Sequence, residues 1–201
     1  MNLQELILQV NRDVDDMFEN GDIQHWLNRA LDDITPIARI EKKVTLTYPY
    51  TLPNDVQDIE RVMQTNTVFP RIPVGEPSQQ GYWVWGNELR IPGGNQQPIE
   101  VYYYKKLSHL KGMEDIPEID SPYHDLLILY AVGQLQFMDG DYADRPDRMQ
   151  RYEQRRQQYA VFREKRKVKR VSVRMKTIHE YGDVPTFLAD GKEEMRIEEY
   201  G

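Results

Sequence analysis

Hydrophobic residues recur at intervals of three and four along the start of the chain, which is the pattern of amphipathic helices. One helix is predicted over residues 3–18 and is expected to end at the Asn-Gly pair at 20–21. Asp22 is the predicted N-cap of a second helix, which a Thr-Pro pair at 35–36 is expected to break or kink. The chain therefore opens with two helices in close succession.

From residue 43 apolar positions alternate with polar ones, and a period of two predicts strands. A Gly-Asn pair at 86–87 predicts a tight hairpin, because it supplies the positive φ angles that a two-residue turn needs. We expect one small antiparallel sheet between the helices, built from residues 43–48, 59–63, 68–74, 82–85, 88–91 and 99–104.

Helical signals return with a Ser-Pro pair at 121–122, which is typical of a helix start. Residues 123–138 are apolar nearly all round, so this helix is expected to lie at the centre of the core and to end at Gly140. A fourth helix is predicted from about 144 to Lys167. It is expected to pack along one narrow seam and to offer its other faces to partners or water, because its apolar stripe is limited to Met149, Tyr152, Tyr159 and Phe162.

Residues 171–201 no longer carry a helical pattern. Apolar and polar residues alternate from Val171 to Lys176, and glycines and prolines follow, so an extended arm with one strand is predicted. Two interpretations remain open: a disordered tail, or an arm that orders on a partner by adding a strand to its sheet.

These patterns together predict an α+β fold, a small helical bundle with an inserted antiparallel β-sheet and an extended C-terminal arm. The predicted parts are an N-terminal helical hairpin (1–42), the sheet (43–107), a connecting loop with two further bundle helices (108–167) and the arm (168–201).

The charge is unevenly distributed over the 201 residues. The net charge is −7, yet residues 145–170 hold 11 basic and 3 acidic side chains. We consider three interpretations of this basic segment. In order of preference, they are a solvated helix face, a contact with an acidic face of another copy that closes a ring, and a nucleic-acid contact.

The residue types that catalysis and metal binding need are scarce or scattered. There is no cysteine, and the four histidines (His25, His109, His124 and His179) fall on different predicted elements. Neighbouring carboxylates such as Asp32 and Asp33 are interpreted as solvated, and no nucleophile, phosphate-loop or metalloprotease motif occurs. We therefore expect no enzyme, no catalytic or metal-binding residues and no cofactor. No apolar run of membrane-spanning length and no signal peptide is found, so synthesis in the cytoplasm is expected.

Aromatic residues concentrate on two predicted strands. Trp83 and Trp85 lie on one, and Tyr102 to Tyr104 on another that is expected to be adjacent. Alternation sends part of this set to each face of the sheet, so one subset is expected in the core and the other exposed. Exposed aromatics on a sheet indicate a protein contact or a stacking platform.

The order of these segments and the types of residue in them resemble a known family over about residues 1–165. Two short helices lead into LTYPYTLPNDVQDIERV, GYWVWGNELRIPGG and PIEVYYYKKL, followed by GMEDIPEI, SPYHDLLILYAVGQLQF and DRPDRMQRYEQRRQQY. This arrangement resembles the head-to-tail adaptors (connector or head completion proteins, including the tail-tubular adaptor type) of tailed double-stranded DNA phages.

The resemblance implies a structural virion protein at the head–tail junction. Such a protein forms a dodecameric ring beneath the portal, extends the channel through which double-stranded DNA passes without sequence specificity, and provides the docking surface for the next tail or stopper protein. The implied surfaces are a portal-binding arm (Arg170, Val171, Val173, Met175, Ile178, Tyr181, Phe187 and Leu188), subunit-contact or channel-facing arginines (Arg148, Arg151, Arg155, Arg156 and Arg163) and a tail- or neighbour-facing sheet (Trp83, Trp85, Tyr102 and Tyr104).

One alternative from a different class remains open. The chain would then be a non-enzymatic nucleic-acid-binding accessory protein that uses the arginine-rich helix 145–170, with Arg148, Arg151, Arg155 and Arg156 beside the Lys165–Arg170 cluster. Duplex binding that falls steeply with salt distinguishes this alternative from an adaptor.

Overall fold

The computed structural model describes residues 1–14, 18–75, 80–93, 96–138 and 145–180, and of these it leaves the side chains of 138, 145–146 and 167–180 undescribed. The chain divides into two units, Met1–Arg163 and Glu164–Gly201. The predicted α+β class is confirmed. The elements are α1 (Leu3–Asp13), α2 (Asn20–Ala38), β1 (Ile40–Leu46), β2 (Val56–Gln64), β3 (Thr67–Phe69), β4 (Trp83–Trp85), β5 (Glu88–Arg90), β6 (Ile99–Lys105), a 3-10 turn (Ser121–Tyr123), α3 (Asp125–Met138) and α4 (Arg145–Glu180).

Helix α1 begins with a capping box and is shorter than predicted. The Asn2 side chain accepts a hydrogen bond from the Glu5 N–H, and the Glu5 carboxylate accepts one from the Asn2 N–H. The helix ends at Asp13 because Val14 has extended backbone angles. The prediction of a helix to residue 18 was therefore wrong.

The start of α2 also differs from the prediction. Glu19, not Asp22, is the N-cap residue, and its carbonyl accepts hydrogen bonds from the N–H groups of Asp22 and Ile23. The Asn-Gly pair at 20–21 thus opens α2 instead of ending α1. A glycine costs a helix less in its first turn than in its interior, because the backbone at a helix end is less constrained.

Helix α2 continues through Pro36 to Ala38, so of the predicted break or kink at 35–36 the break was wrong. Pro36 stands in the last turn, where its missing N–H removes only one helical hydrogen bond. Arg39, with φ +44°, ends the helix in the left-handed conformation. The Thr35 hydroxyl donates to the Leu31 carbonyl at 2.8 Å and accepts from the Leu107 N–H at 3.3 Å, which ties the end of α2 to the chain after β6.

The strands form two sheets, where the sequence predicted one. Four strands pair antiparallel in the order β1-β6-β2-β3, and β4 and β5 form a separate hairpin. The predicted turn at 86–87 closes this hairpin, although of its two residues only Gly86 has a positive φ, +62°. The hairpin is short and joins neighbouring loops through isolated bridges, Thr51 with Glu88 and Arg71 with Tyr82.

Two clusters of buried side chains make up the core. The larger lies among the helices and includes the fully buried α3 residues Leu126, Leu127 and Leu135, which confirms a central position for α3. The smaller lies under the sheets and includes Val62, Leu89, Ile99 and Val101.

Helix α4 is longer than the sequence predicted. It extends to Glu180, so residues 171–180 are helical and the strand expected from Val171 onward was wrong. The physical reason lies in the sequence, since no glycine or proline occurs between residues 147 and 181 and arginine, lysine and methionine favour helix. The remainder of the predicted arm (181–201) and the predicted stop at Gly140 lie outside the described residues.

Candidate interaction surface

The part of α4 up to Arg163 is held to the helical bundle by a repeated pair of side chains. Tyr152 with Arg156, and Tyr159 with Arg163, are each four residues apart and therefore lie on the same face of the helix. Each pair contacts a single bundle carboxylate, and we call these two arrangements the clasps. The clasps are seven residues apart along α4, which is close to two helical turns.

The first clasp is formed on Asp33 of α2. The Tyr152 hydroxyl donates to Asp33 Oδ2 at 2.5 Å, and Arg156 Nε lies 2.9 Å from the same oxygen. Tyr152 is buried, and its burial, together with the hydrogen bond to Asp33, raises the pKa of the phenol well above its usual value. The phenol therefore stays protonated and remains the donor across the physiological range of pH.

The second clasp is formed on Asp120, before the 3-10 turn. The Tyr159 hydroxyl donates to Asp120 Oδ2 at 3.3 Å, and Arg163 Nη1 donates to the same oxygen at 3.1 Å. Arg163 Nη2 also donates to the Arg39 carbonyl at 3.3 Å, which adds the end of α2 to the contact. Burial raises the pKa of Tyr159 to about 12.

Arg155, the residue before Arg156 of the first clasp, also contacts the rest of the chain through its guanidinium group. Its Nε donates to Asp125 Oδ2 at 2.8 Å and its Nη2 to the Pro122 carbonyl at 2.7 Å. Its Nη1 donates to Gln158 at 3.0 Å, and the guanidinium carbon lies 4.6 Å from the centre of the Tyr123 ring. All three guanidinium nitrogens therefore have partners within the chain.

The two remaining arginines of the predicted set are more loosely held. Arg148 Nη2 donates to the Asp13 carbonyl at 3.4 Å, while Arg151 is exposed and pairs with Asp147 one turn earlier on α4 at 2.7 Å. Of the five predicted contact arginines, three thus bind bundle carboxylates and one binds a backbone carbonyl. Three of the eleven basic residues of the segment 145–170 are therefore paired with carboxylates of the bundle in the same subunit.

The opposite face of α4 presents uncharged side chains. Gln150, Gln154, Gln157 and Val161 are exposed and follow one another at helical spacing, and half of Val161 is accessible. This glutamine face is one part of the helix that the clasps leave open to a partner.

The aromatic residues predicted to face a neighbour are divided between the two sheets. Trp83 and Trp85 lie on β4 and Tyr102 and Tyr104 on β6, so the prediction of adjacent strands was wrong. The strands of the hairpin are three residues long each and pair with each other. Trp85 is 65% exposed, whereas Trp83 is half-buried and lines a groove of about 370 Å³ with Tyr48, Tyr50, Leu89 and Ile91.

The two tyrosines of β6 are less accessible. Tyr104 is buried, with the Arg39 guanidinium 6.0 Å from its ring centre. Tyr102 is half-buried, and the charged groups of Lys43 and Arg61 lie 5.3 and 5.8 Å from its ring centre. Trp85 is therefore the member of the four best placed to contact another molecule.

The structure describes some of the predicted arm residues and not others. Arg170, Val171, Val173, Met175 and Ile178 lie on α4, while Tyr181, Phe187 and Leu188 lie outside the described residues. Within the described part of the chain, no group of three or more potential ligand side chains could hold a metal ion, and no helix is long and apolar enough to cross a membrane.

Sequence reasoning missed the carboxylates on which α4 is held. Asp33 was interpreted as solvated, and Asp120 and Asp125 were not considered. A signal was present on α4 itself, because Tyr-x-x-x-Arg occurs at 152–156 and again at 159–163. The partners could not be found in the same way, since Asp33 precedes Tyr152 by more than a hundred residues.

Comparison with known protein families gives a match over most of the chain. The family model described as SU10 adaptor protein matches residues 1–177, which takes in the bundle, both sheets and nearly all of α4. No curated protein matches the chain.

Proposed function

The chain belongs to the SU10 adaptor protein family of phage head–tail adaptors, and from this premise we propose that copies of it form a ring beneath the portal. Its role is structural, as a connector at the head–tail junction of the virion. The observation that carries the proposal is the family match over 177 of the 201 residues. In the proposed ring of twelve, the lumen continues the DNA channel and the outer end receives the next tail or stopper protein.

The surfaces available for contacts between copies follow from which side chains are already engaged. Arg155, Arg156 and Arg163 hold α4 to its own bundle, so they are poor candidates for a contact with a second copy. We place the subunit contacts on the glutamine face of α4 and on its more loosely held arginines, Arg148 and Arg151. Exposed Trp85 is the proposed contact with a neighbour or with the tail.

The portal-binding region is proposed to be residues 168–201. Its first part, to Glu180, is helical and carries Arg170, Val171, Val173, Met175 and Ile178. A helix with these residues can bind a groove through one apolar face, a different mode from the added strand that the alternation first indicated. Several arms that bind one portal ring together gain avidity, so each single contact can be weak.

The geometry weakens the nucleic-acid alternative. Arg155 and Arg156, two of the four arginines on which it rested, are paired with carboxylates of the bundle. Lys165 and Arg166 are exposed, and the side chains from Lys167 to Arg170 lie outside the described set. We therefore keep the adaptor as the single proposed function.

Co-sedimentation with the portal protein of the same phage tests the proposal. Three chains are compared: full length, one that ends at Glu180 and one that ends at Lys167. We expect the full-length chain to bind in a ratio of one copy per portal subunit, and the chain ending at Lys167 to lose binding.

Each outcome has a distinct meaning. Binding by the chain that ends at Glu180 places the portal contact on α4, and its loss places the contact in 181–201. Equal binding by all three contradicts the arm assignment and leaves the adaptor standing. No binding by the full-length chain contradicts the adaptor proposal, provided that circular dichroism shows the chain to be folded.

A further inference from the structure

Three arginines of α4 form ion pairs with carboxylates of the bundle, and for Arg155 and Arg163 the pair is also a hydrogen bond. The partners are Asp33, Asp120 and Asp125, at 2.9, 3.1 and 2.8 Å from the nearest guanidinium nitrogen. None of these three arginines is fully buried, since between 20 and 31% of each side chain is exposed. Each therefore lies close to the surface while its charge is satisfied from within.

Carboxylate and phosphate are closely related partners for a guanidinium group. Both present oxygens in a geometry that arginine N–H groups match, so an arginine that one of them occupies is less available to the other. Duplex DNA offers such phosphates at high density, and each phosphate that an arginine neutralises adds to its affinity for the protein. The bundle carboxylates and DNA would thus compete for the same guanidinium groups.

We propose that Asp33, Asp120 and Asp125 act as internal substitutes for phosphate and prevent Arg155, Arg156 and Arg163 from holding duplex DNA. The arginines then serve to hold α4 against the bundle, and the surface of α4 has little affinity for a duplex that passes it. The inference extends the proposed function, in which DNA moves along a channel. It concerns the isolated chain, however, and can be tested without a ring or a portal.

The test removes the three negative charges with little change in shape. In the variant Asp33→Asn, Asp120→Asn, Asp125→Asn, each amide oxygen can still accept a hydrogen bond from the neighbouring tyrosine or arginine. Binding to a 30-base-pair duplex of mixed sequence is measured by fluorescence anisotropy between 50 and 200 mM salt. We expect the variant to bind roughly tenfold more tightly than the natural chain at low salt, with a slope of log affinity against log salt that is steeper by about two to three.

A matched variant separates release of the arginines from a general change in net charge. Glu19→Gln, Asp22→Asn, Glu114→Gln removes the same three charges from exposed side chains, of which Glu114 contacts Asn2. This variant should bind DNA like the natural chain, with the same salt slope. In a third variant, Arg155, Arg156 and Arg163 are replaced by Gln in the Asn background, and the gain should disappear.

The proposal is overturned if the Asn variant shows no gain, if the matched variant gains as much, or if the gain survives loss of the arginines. Should the triple variant fail to fold by circular dichroism, Asp125→Asn alone supplies the same test. Its Oδ2 contacts Arg155, which keeps its bonds to Pro122 and Gln158, and the salt slope should steepen by about one. If the chain fails to bind the portal, the DNA-binding measurements on the isolated chain keep their meaning. The proposed function and this inference can therefore fail separately.

Discussion

Tyr152 and Tyr159 show how a single side chain can both pack in the core and donate a hydrogen bond to a carboxylate. Each ring is buried against the bundle, while its hydroxyl reaches a carboxylate that an arginine four residues later also contacts. The sequence predicted the apolar role of both tyrosines from their spacing. It could not predict the polar role, because the carboxylates come from α2 and from the segment before α3, and only the folded chain brings them to α4.

His124 is a residue whose chemistry depends on its surroundings in the same way. The sequence places the four histidines on different predicted elements and assigns no catalytic or metal-binding role to His124, but His124 is buried, and its ring nitrogen Nε2 lies 3.2 Å from the Ile119 carbonyl oxygen. Burial lowers the pKa of this imidazole. The folded chain therefore binds a proton at His124 less readily than the unfolded chain does.

This difference predicts a loss of stability in mild acid. Well above a pH of about 6.5, the ordinary pKa of histidine, the imidazole is neutral in both states, and the free energy of unfolding does not change on its account. As the pH falls toward the lowered folded pKa, the unfolded chain takes up the proton first and stability declines. Urea unfolding at pH 7.5, 6.5 and 5.5 should show this decline, and His124→Gln should remove most of it.

The exposed His25 provides the control, because His25→Gln should keep the decline unchanged. The carboxylates with lowered pKa values, Asp55, Glu100, Asp115 and Glu118, lose their contribution only at lower pH, below about 4.5. A decline between pH 7.5 and 5.5 that persists in His124→Gln would contradict this assignment.

At the scale of elements, the sequence predicted existence and type better than boundaries. The hairpin at 86–87, the strand β6 and the buried helix α3 follow from local signals that no distant contact opposes. The junction of α1 and α2 was misplaced because an Asn-Gly pair can end one helix or open the next, and the choice depends on packing. The α4 prediction ended too early, since alternation over six residues was given more weight than continuous helix-forming composition.

Two glycines provide a matched test of these elements. Gly86 has a φ of +62°, whereas Gly21 lies in the first turn of α2, where an added β-carbon would meet no atom within 4 Å. Gly86→Ala should lower the free energy of unfolding by about 1 kcal/mol, because alanine is strained in the left-handed region. Gly21→Ala should raise it by about 0.5 kcal/mol. Thermal unfolding followed by circular dichroism measures both, and equal shifts of the same sign would contradict the assigned turn.

At the scale of the whole molecule, long side chains join α4 to the rest of the helical bundle within Met1–Arg163. The seam of α4 predicted from the sequence is present, and the clasps explain why so thin a stripe suffices. The surfaces for the portal, the neighbouring copy and the tail could be predicted only as regions. No pattern within one chain specifies the shape of a partner.

The docking of α4 on α3 can be tested directly in solution. A β-carbon at Gly133 would lie 4.0 Å from that of Arg148, which suits a disulfide, and the chain has no other cysteine. Gly133→Cys with Arg148→Cys should oxidise to a monomeric form without free thiols, and the cross-link should raise the free energy of unfolding by up to about 3 kcal/mol. The flexible Met149 side chain must shift to make room.

Leu8→Cys with Arg148→Cys is the control pair, because Leu8 is exposed on α1. Cross-linking within the chain by the first pair and not by the second confirms the position of α4. Free thiols in both pairs after oxidation would contradict it.

The spacing of the two clasps also limits which insertions and deletions α4 can accept between them. Inserting one residue between Arg156 and Tyr159 would turn the second pair by about 100° around the helix axis, away from Asp120. Inserting seven would nearly restore the direction but displace the pair by about 10.5 Å along the axis. Insertions and deletions within this stretch should therefore be selected against in related phages, while substitutions on the glutamine face remain free to follow a changing neighbour.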